Sequence, residues 1–198
     1  MAVLSGSVRL LAQAICYASG SVDAIAAGSE SLPTPCDDWD LQALLLHVNR
    51  SIDVLHQDVA LGSVDRDCGE DGRNSSTVQL ASTFRSRAQL LLQSCVKAEQ
   101  AGHMILVGDL APATGWMIVV GAAEIAVHGW DISVACGSER SIPVPLALGL
   151  LSLLQLVVDD AMRQSLFDPA IPVSPLASPS DQLVAFLGRH PVSPSAQG

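Results

Sequence analysis

Apolar positions recur along this chain three and four residues apart, the period of a helix that buries one face. Val8, Leu11, Ile15, Ala18, Val22 and Ile25 form one such stripe, predicting a first helix over about residues 3–27 with Gly28 as its stop. Leu41, Leu45, Val48, Ile52, Leu55 and Val59 predict a second over about 39–61. The two prolines of Pro33-Thr-Pro-Cys-Asp-Asp-Trp39-Asp40 force an extended turn ahead of it. There Asp38 offers the N-cap, and Asp40 complements the positive end of the helix dipole. Gly62 to Ser76 is polar and reads as an exposed loop. Leu80, Phe84, Ala88, Leu91 and Cys95 mark a third helix over about 77–101, ended by Gly102. A fourth, apolar on nearly all sides, spans about 114–136 and stops at Gly137. Pro145 suits the first turn of a fifth over about 145–165. From Asp168 onward Pro and Ser are frequent, which predicts an extended surface path with one short helix over about 181–188.

No segment alternates in the manner of a half-buried sheet, and no internal repeat is visible. Helices of about 20–25 residues joined by short or moderate loops predict an all-α protein, a four-helix bundle with an additional C-terminal helix and an extended tail. The expected organisation is one domain over 1–198, with a helical core over 1–165 and a Pro/Ser-rich extension over 166–198.

Composition narrows the partners. Hydrophobic residues make up 49% and charged residues 15%, which fits a chain with a real core and excludes disorder. The net charge is −10 with no Lys/Arg cluster, so neither nucleic acid nor an anionic membrane surface is an expected partner. The apolar tract from Val144 to Val158 is broken by Pro145, Gly149, Ser152 and Gln155 and is shorter than the roughly 20 residues that span a bilayer. Arg9 interrupts the apolar N-terminus, which therefore reads as a first helix and not a leader, and a cytoplasmic location is expected. Five cysteines, Cys16, Cys36, Cys68, Cys95 and Cys136, are widely spaced with no CxxC, and most are expected to be small buried residues rather than disulfides or a thiolate metal site. The apolar fifth helix offers a surface for a homodimer.

The fourth helix carries the chemistry. In Glu124-Ile-Ala-Val-His128-Gly-Trp-Asp131, the ionisable side chains step by four and three and share one face. A buried carboxylate needs compensation. Either an ion pair with His128 supplies it, or a divalent metal does, held by Glu124, His128 and a third ligand from another helix. Four other histidines are candidates for that ligand. His103 and His190 lie in segments expected to be solvated, and His56 sits near the far end of the second helix. His47 lies in Leu44-Leu45-Leu46-His47-Val48, on the shoulder of its helix at about 120° from the apolar stripe, from where it can face a bundle interior. Asp131 is placed either to orient His128 or to make a local polar contact at the helix end. Cys36 precedes a helix N-terminus, where a thiol pKa falls, although turn packing is its expected role. Trp39, Trp116 and Trp130 read as core anchors, and Arg50 and Asp53 as solvated positions one and two turns past His47.

Three groups of residues carry a family resemblance. Pro33-Thr-Pro-Cys36-x-x-Trp39-Asp40 with Leu45-Leu46-His47-Val48 resembles the N-terminal signature of the DinB-like metal-binding proteins, in the branch related to mycothiol-dependent maleylpyruvate isomerase. Glu124-x-x-x-His128-Gly-Trp-Asp131 with Ala135-x-Gly137 resembles the second signature of that branch. Phe167-Asp-Pro through Asp181-Gln-Leu-x-Ala-Phe-Leu-Gly188-Arg189-x-Pro191 resembles the ending of a small actinobacterial-type subfamily. The resemblance implies a DinB-like bundle with one divalent metal, zinc or nickel, whose ligands fall on His47, Glu124 and His128. It implies open coordination positions at which a low-molecular-weight thiol such as mycothiol is activated, for S-transfer or thiol-assisted isomerisation of a small electrophilic metabolite. The maleylpyruvate isomerases also carry a C-terminal domain that supplies a catalytic arginine. Few residues follow the fifth helix here, so maleylpyruvate itself is not the expected substrate, and Arg163 and Arg189 are the residues left to stand in. Two alternatives stay open: a thiol-independent isomerase, cyclase or lyase acting on an apolar intermediate, and a non-catalytic, metal-stabilised binding module.

Overall fold

In the computed structural model, residues 6–36, 39–61, 75–101, 113–138, 140–158, 163 and 167–191 are described. Among them are six helices: α1 (Gly6–Val22), α2 (Leu41–Leu61), α3 (Thr77–Gln100), α4 (Ala113–Ala135), α5 (Val144–Val157) and α6 (Pro179–Phe186). The described residues hold no β-strand, only an isolated bridge between Pro33 and Asp40.

The first four helices close a ring. α1 packs chiefly on α4 and α2 on α3, while α2 also meets α4 and α1 meets α3. The predicted stripes fill the space between them. Leu11, Ile15, Leu45, Ile52, Leu80, Phe84, Leu91, Ile118 and Ile132 belong to one buried cluster. Gly129 lets α1 and α4 approach closely: a Cβ there would stand 2.9 Å from both Cα and Cβ of Ala18. Helix α4 is long and apolar enough to cross a membrane, yet 72% of its most apolar window is buried inside the bundle, the setting of a core helix. α5 packs on α6, α4 and α1, and α6 adds Leu183 and Val184 to the same core. The outer face of α5 leaves Val144, Leu148 and Leu156 exposed on the single chain.

Several boundaries differ from those expected. α1 ends at Val22, not near residue 27. Asp23 follows it at the negative end of the dipole, and the chain tightens there through i→i−3 bonds from Ala24 and Ile25. α2 begins at Leu41, because Asp40 itself accepts from the Ala43 N–H at 2.8 Å and does the capping. The expected cap, Asp38, lies outside the described residues. α3 opens with a reciprocal capping box between Ser76 and Gln79. Gly102 and His103, with residues 62–74 of the expected loop, also lie outside the described residues. α4 closes at Gly137 as expected, with Ser138 N–H bonded to the Ser133 carbonyl and Gly137 N–H to that of Val134. α5 stops at Val157, and Val158 is already extended. Two β-branched residues and then Asp159-Asp160 are poor companions for a helix C-terminus; of the rest of the expected helix, Arg163 is helical and residues 159–162 and 164–165 lie outside the described residues. Of the cysteines expected to be buried, only Cys95 is; Cys36 and Cys136 are half-buried, Cys16 is exposed, and Cys68 lies outside the described residues.

Candidate metal centre

The contact of α2 with α4 brings three donor groups together. His47 Nε2 lies 3.5 Å from Glu124 Oε2, and His128 Nε2 lies 3.6 Å from the same oxygen. All three ligand atoms fall within 4.8 Å of one another. The two shorter separations exceed a good hydrogen bond of about 2.7–3.2 Å. They match two ligands on one ion, since bonds of about 2.0–2.1 Å at a tetrahedral angle separate ligand atoms by roughly 3.4 Å. Two imidazoles and one carboxylate suit a divalent ion of the zinc type, and three protein donors leave a coordination position open. The set fits the metal that the sequence resemblance implies.

Burial grades across the cluster. The His128 side chain is 4% exposed, that of Glu124 19% and that of His47 35%, so the open side lies toward α2. Trp39 covers part of it, its ring centroid 4.3 Å from that of His47 and tilted by 39°. The turn before α2 fixes that indole. Thr34 Oγ1 donates to the Trp39 carbonyl at 2.8 Å and accepts from the Cys36 N–H at 3.1 Å. Trp39 is therefore half-buried, packed against the core as expected while also walling the centre, whereas Trp130 is buried in the core.

Asp131 orients His128 as its position suggested. Its Oδ2 stands 3.0 Å from His128 Nδ1 and is fully buried. In the neutral imidazole, a proton held on Nδ1 by that carboxylate leaves the Nε2 lone pair free for a metal. The electrostatics follow the same geometry. Burial works to raise the Glu124 carboxyl, but His128 and His47 outweigh it and hold the group down at about 2. Burial works to lower His128, but Asp131 and Glu124 outweigh it and raise the imidazole to about 9. An imidazole raised in this way holds a proton that metal uptake would have to release.

Sequence patterns did not reveal the partner of Asp131. Arg189, on the C-terminal segment, is buried and places Nη2 3.3 Å from Asp131 Oδ2. The same nitrogen donates to Cys36 Sγ at 3.4 Å, and Nη1 meets Asp168 Oδ2 at 3.2 Å. The signal that could have found it was Asp131 itself, a carboxylate in an apolar helix that requires a cation. Arg163 instead donates to the Phe186 carbonyl at 2.7 Å. The remaining candidates stand outside the cluster. His56 pairs with Ser94 at 3.0 Å, Asp53 with Arg87 at 2.7 Å, and Arg50 and His190 are exposed.

Fold and site together define a class: an all-helical, DinB-like bundle with a His/Glu/His cluster where two of its helices meet. The particular family follows from comparison with known proteins. Residues 11–133 match the mycothiol maleylpyruvate isomerase N-terminal domain, and the chain belongs to that family. The match contains His47, Glu124, His128 and Asp131 and ends ahead of Arg189. No curated protein and no solved structure matches the chain.

Proposed function

We propose that this protein is a divalent-metal-dependent enzyme in which His47, Glu124 and His128 hold one zinc or nickel ion, and that it uses a low-molecular-weight thiol of the mycothiol type to transfer sulfur to, or isomerise, a small electrophilic metabolite. The observation that carries the reading is the convergence of the two Nε2 atoms on Glu124 Oε2. Family membership supports the thiol part, because the matching domain is described by its mycothiol-dependent isomerase. A divalent ion held there would depress the pKa of a thiol and supply thiolate at neutral pH.

The chain's own residues do the rest. Asp131 keeps the Nδ1 proton on His128 and fixes the ring. Glu124 Oε2 lies 3.5 and 3.6 Å from the two Nε2 atoms and would share one ion with them. Trp39 narrows the approach on the His47 side and excludes water from part of it. The expected substrate is small, and its electrophilic carbon is attacked by the thiolate. In transfer, the new C–S bond stays and the leaving group departs. In isomerisation, the same bond breaks again after rotation about the carbon–carbon bond that addition has made single.

The test is a screen of electrophiles with zinc- or nickel-loaded protein, with and without mycothiol. The reading predicts thiol-dependent turnover that disappears with a chelator and in His128→Ala. Turnover without any thiol would move the assignment to a thiol-independent isomerase, cyclase or lyase. Metal-loaded protein inert in every combination would leave a binding module.

A further inference from the structure

The donor cluster lies on α2 and α4, but the polar network behind it does not end there. Asp131 Oδ2 serves two groups at once, His128 Nδ1 at 3.0 Å and Arg189 Nη2 at 3.3 Å. Asp131 Oδ1 has no hydrogen-bond partner among the described residues, so the carboxylate is held through one oxygen. Its side chain is 0% exposed and that of Arg189 is 7% exposed. A buried carboxylate that has lost its cation rotates or recruits water, and either outcome loosens whatever it was orienting.

Arg189 reaches this position through a chain of local decisions. Ser178 caps α6, accepting from the Asp181 N–H. Helix α6 ends in a turn in which the Arg189 N–H bonds to the Val184 carbonyl at 2.8 Å. Gly188 sits there at φ +86°, a conformation that favours glycine, and a Cβ would stand 2.4 Å from that of Asp168. The turn sends Arg189 inward while His190 stays exposed. Ser180 Oγ accepts from the buried Ile142 N–H at 2.9 Å, and the Ile171 N–H bonds to the Ala185 carbonyl at 2.9 Å. The segment is thus tied down ahead of the arginine, at Ser180 and at Ala185.

We infer that Arg189 is a positioning residue of the metal centre: through the shared Asp131 oxygen it fixes the His128 ring, so that docking of the C-terminal segment completes a site whose donors all lie on α2 and α4. The inference rests on the metal reading given above. Arg189 acts through Asp131 and is not itself a ligand. Its guanidinium also braces the Cys36 turn that carries Trp39, so one side chain holds both the buried imidazole and the covering indole.

The test measures zinc affinity by competition with a chelator, together with the absorption spectrum of the cobalt(II)-substituted protein. The proteins compared are wild type, Arg189→Met, Arg189→Lys, Asp131→Asn and the Asp131→Asn/Arg189→Met double variant. Arg189→Met is expected to bind zinc about tenfold more weakly with an altered cobalt spectrum, as for loss of an outer-shell support. Arg189→Lys, which keeps the charge but not the fork, should fall between it and wild type. The double variant should be no weaker than Asp131→Asn alone, because both changes break one path. A purely structural arginine would lower the melting midpoint and leave zinc affinity and cobalt spectrum unchanged; that result overturns the inference, as do losses that add in the double variant. If Arg189→Met does not fold, Arg189→Lys decides, and wild-type affinity there overturns the inference. Wild-type protein that takes up no zinc overturns the metal reading and this inference with it, whereas zinc-binding wild type with an indifferent Arg189 overturns the inference alone.

Discussion

Glu124 and His128 set each other's charge. In the metal-free protein the His128 imidazole rises from 6.5 to about 9, so its stabilising contribution is complete below 6.5 and is lost as pH rises through about 9. Glu124 falls from 4.5 to about 2, so its contribution is present above 4.5 and is lost as pH falls through about 2. The melting midpoint of chelator-treated protein should therefore decline between pH 6.5 and 9, and His128→Gln should remove that decline. A flat profile in wild type would show that the pair is not formed. Asp131 supports the same ring from behind. Asp131→Asn keeps the shape but cannot hold the Nδ1 proton in the same way, and zinc affinity should drop by about 10- to 100-fold, measurable by chelator competition. Unchanged affinity would detach Asp131 from the centre. The sequence made Glu124, His128 and Asp131 legible because three polar residues on one face of an apolar helix need a reason. His47 was legible only in combination with them. The roles of Trp39 and Arg189 were not, because each depends on how a turn far away in sequence presents the side chain.

At the scale of elements, hydrophobic spacing located α1, α2 and α3, an apolar run located α4, and an apolar tract opened by a proline located α5. Spacing says which residues can be buried, but a terminus is set by who caps it. Asp40 bonds to the Ala43 N–H and starts α2 two residues later than the apolar pattern alone suggests. α1 and α5 stop early, each with an acidic residue within two positions of its last helical residue. The closest helix pairing turns on Gly129, beside His128. Gly129→Val would press against the Ala18 backbone, where a Cβ already stands 2.9 Å from Cα. The expected cost is about 1–3 kcal/mol, as for overpacking a filled interior. That lowers the melting midpoint by several degrees, and because α4 carries both Glu124 and His128, zinc affinity should fall with it. A fully stable Gly129→Val would contradict the close packing of α1 on α4.

Across the whole molecule, the family match and the donor cluster point the same way by separate routes. The match covers residues 11–133 and includes all three donors, while the convergence of those donors is a property of the fold. The C-terminal segment adds what the matched region lacks. The Pro/Ser-rich composition of 166–198 suggested a path over the surface, yet within it Leu183, Val184, Ala185, Leu187 and Arg189 are buried. The short helix was expected, but composition averages over a segment and hides how deeply it packs, and one glycine-ended turn is enough to carry a charged residue inward. The central claim is that His47, Glu124 and His128 bind one divalent ion. It is tested most directly by metal analysis of protein purified without a tag and then titrated with zinc. One equivalent per chain for wild type, and none for His47→Ala or His128→Ala variants that retain the helical circular dichroism, is the predicted result. Wild type that takes up no zinc or nickel, or a His128→Ala variant that still binds a full equivalent, would contradict it.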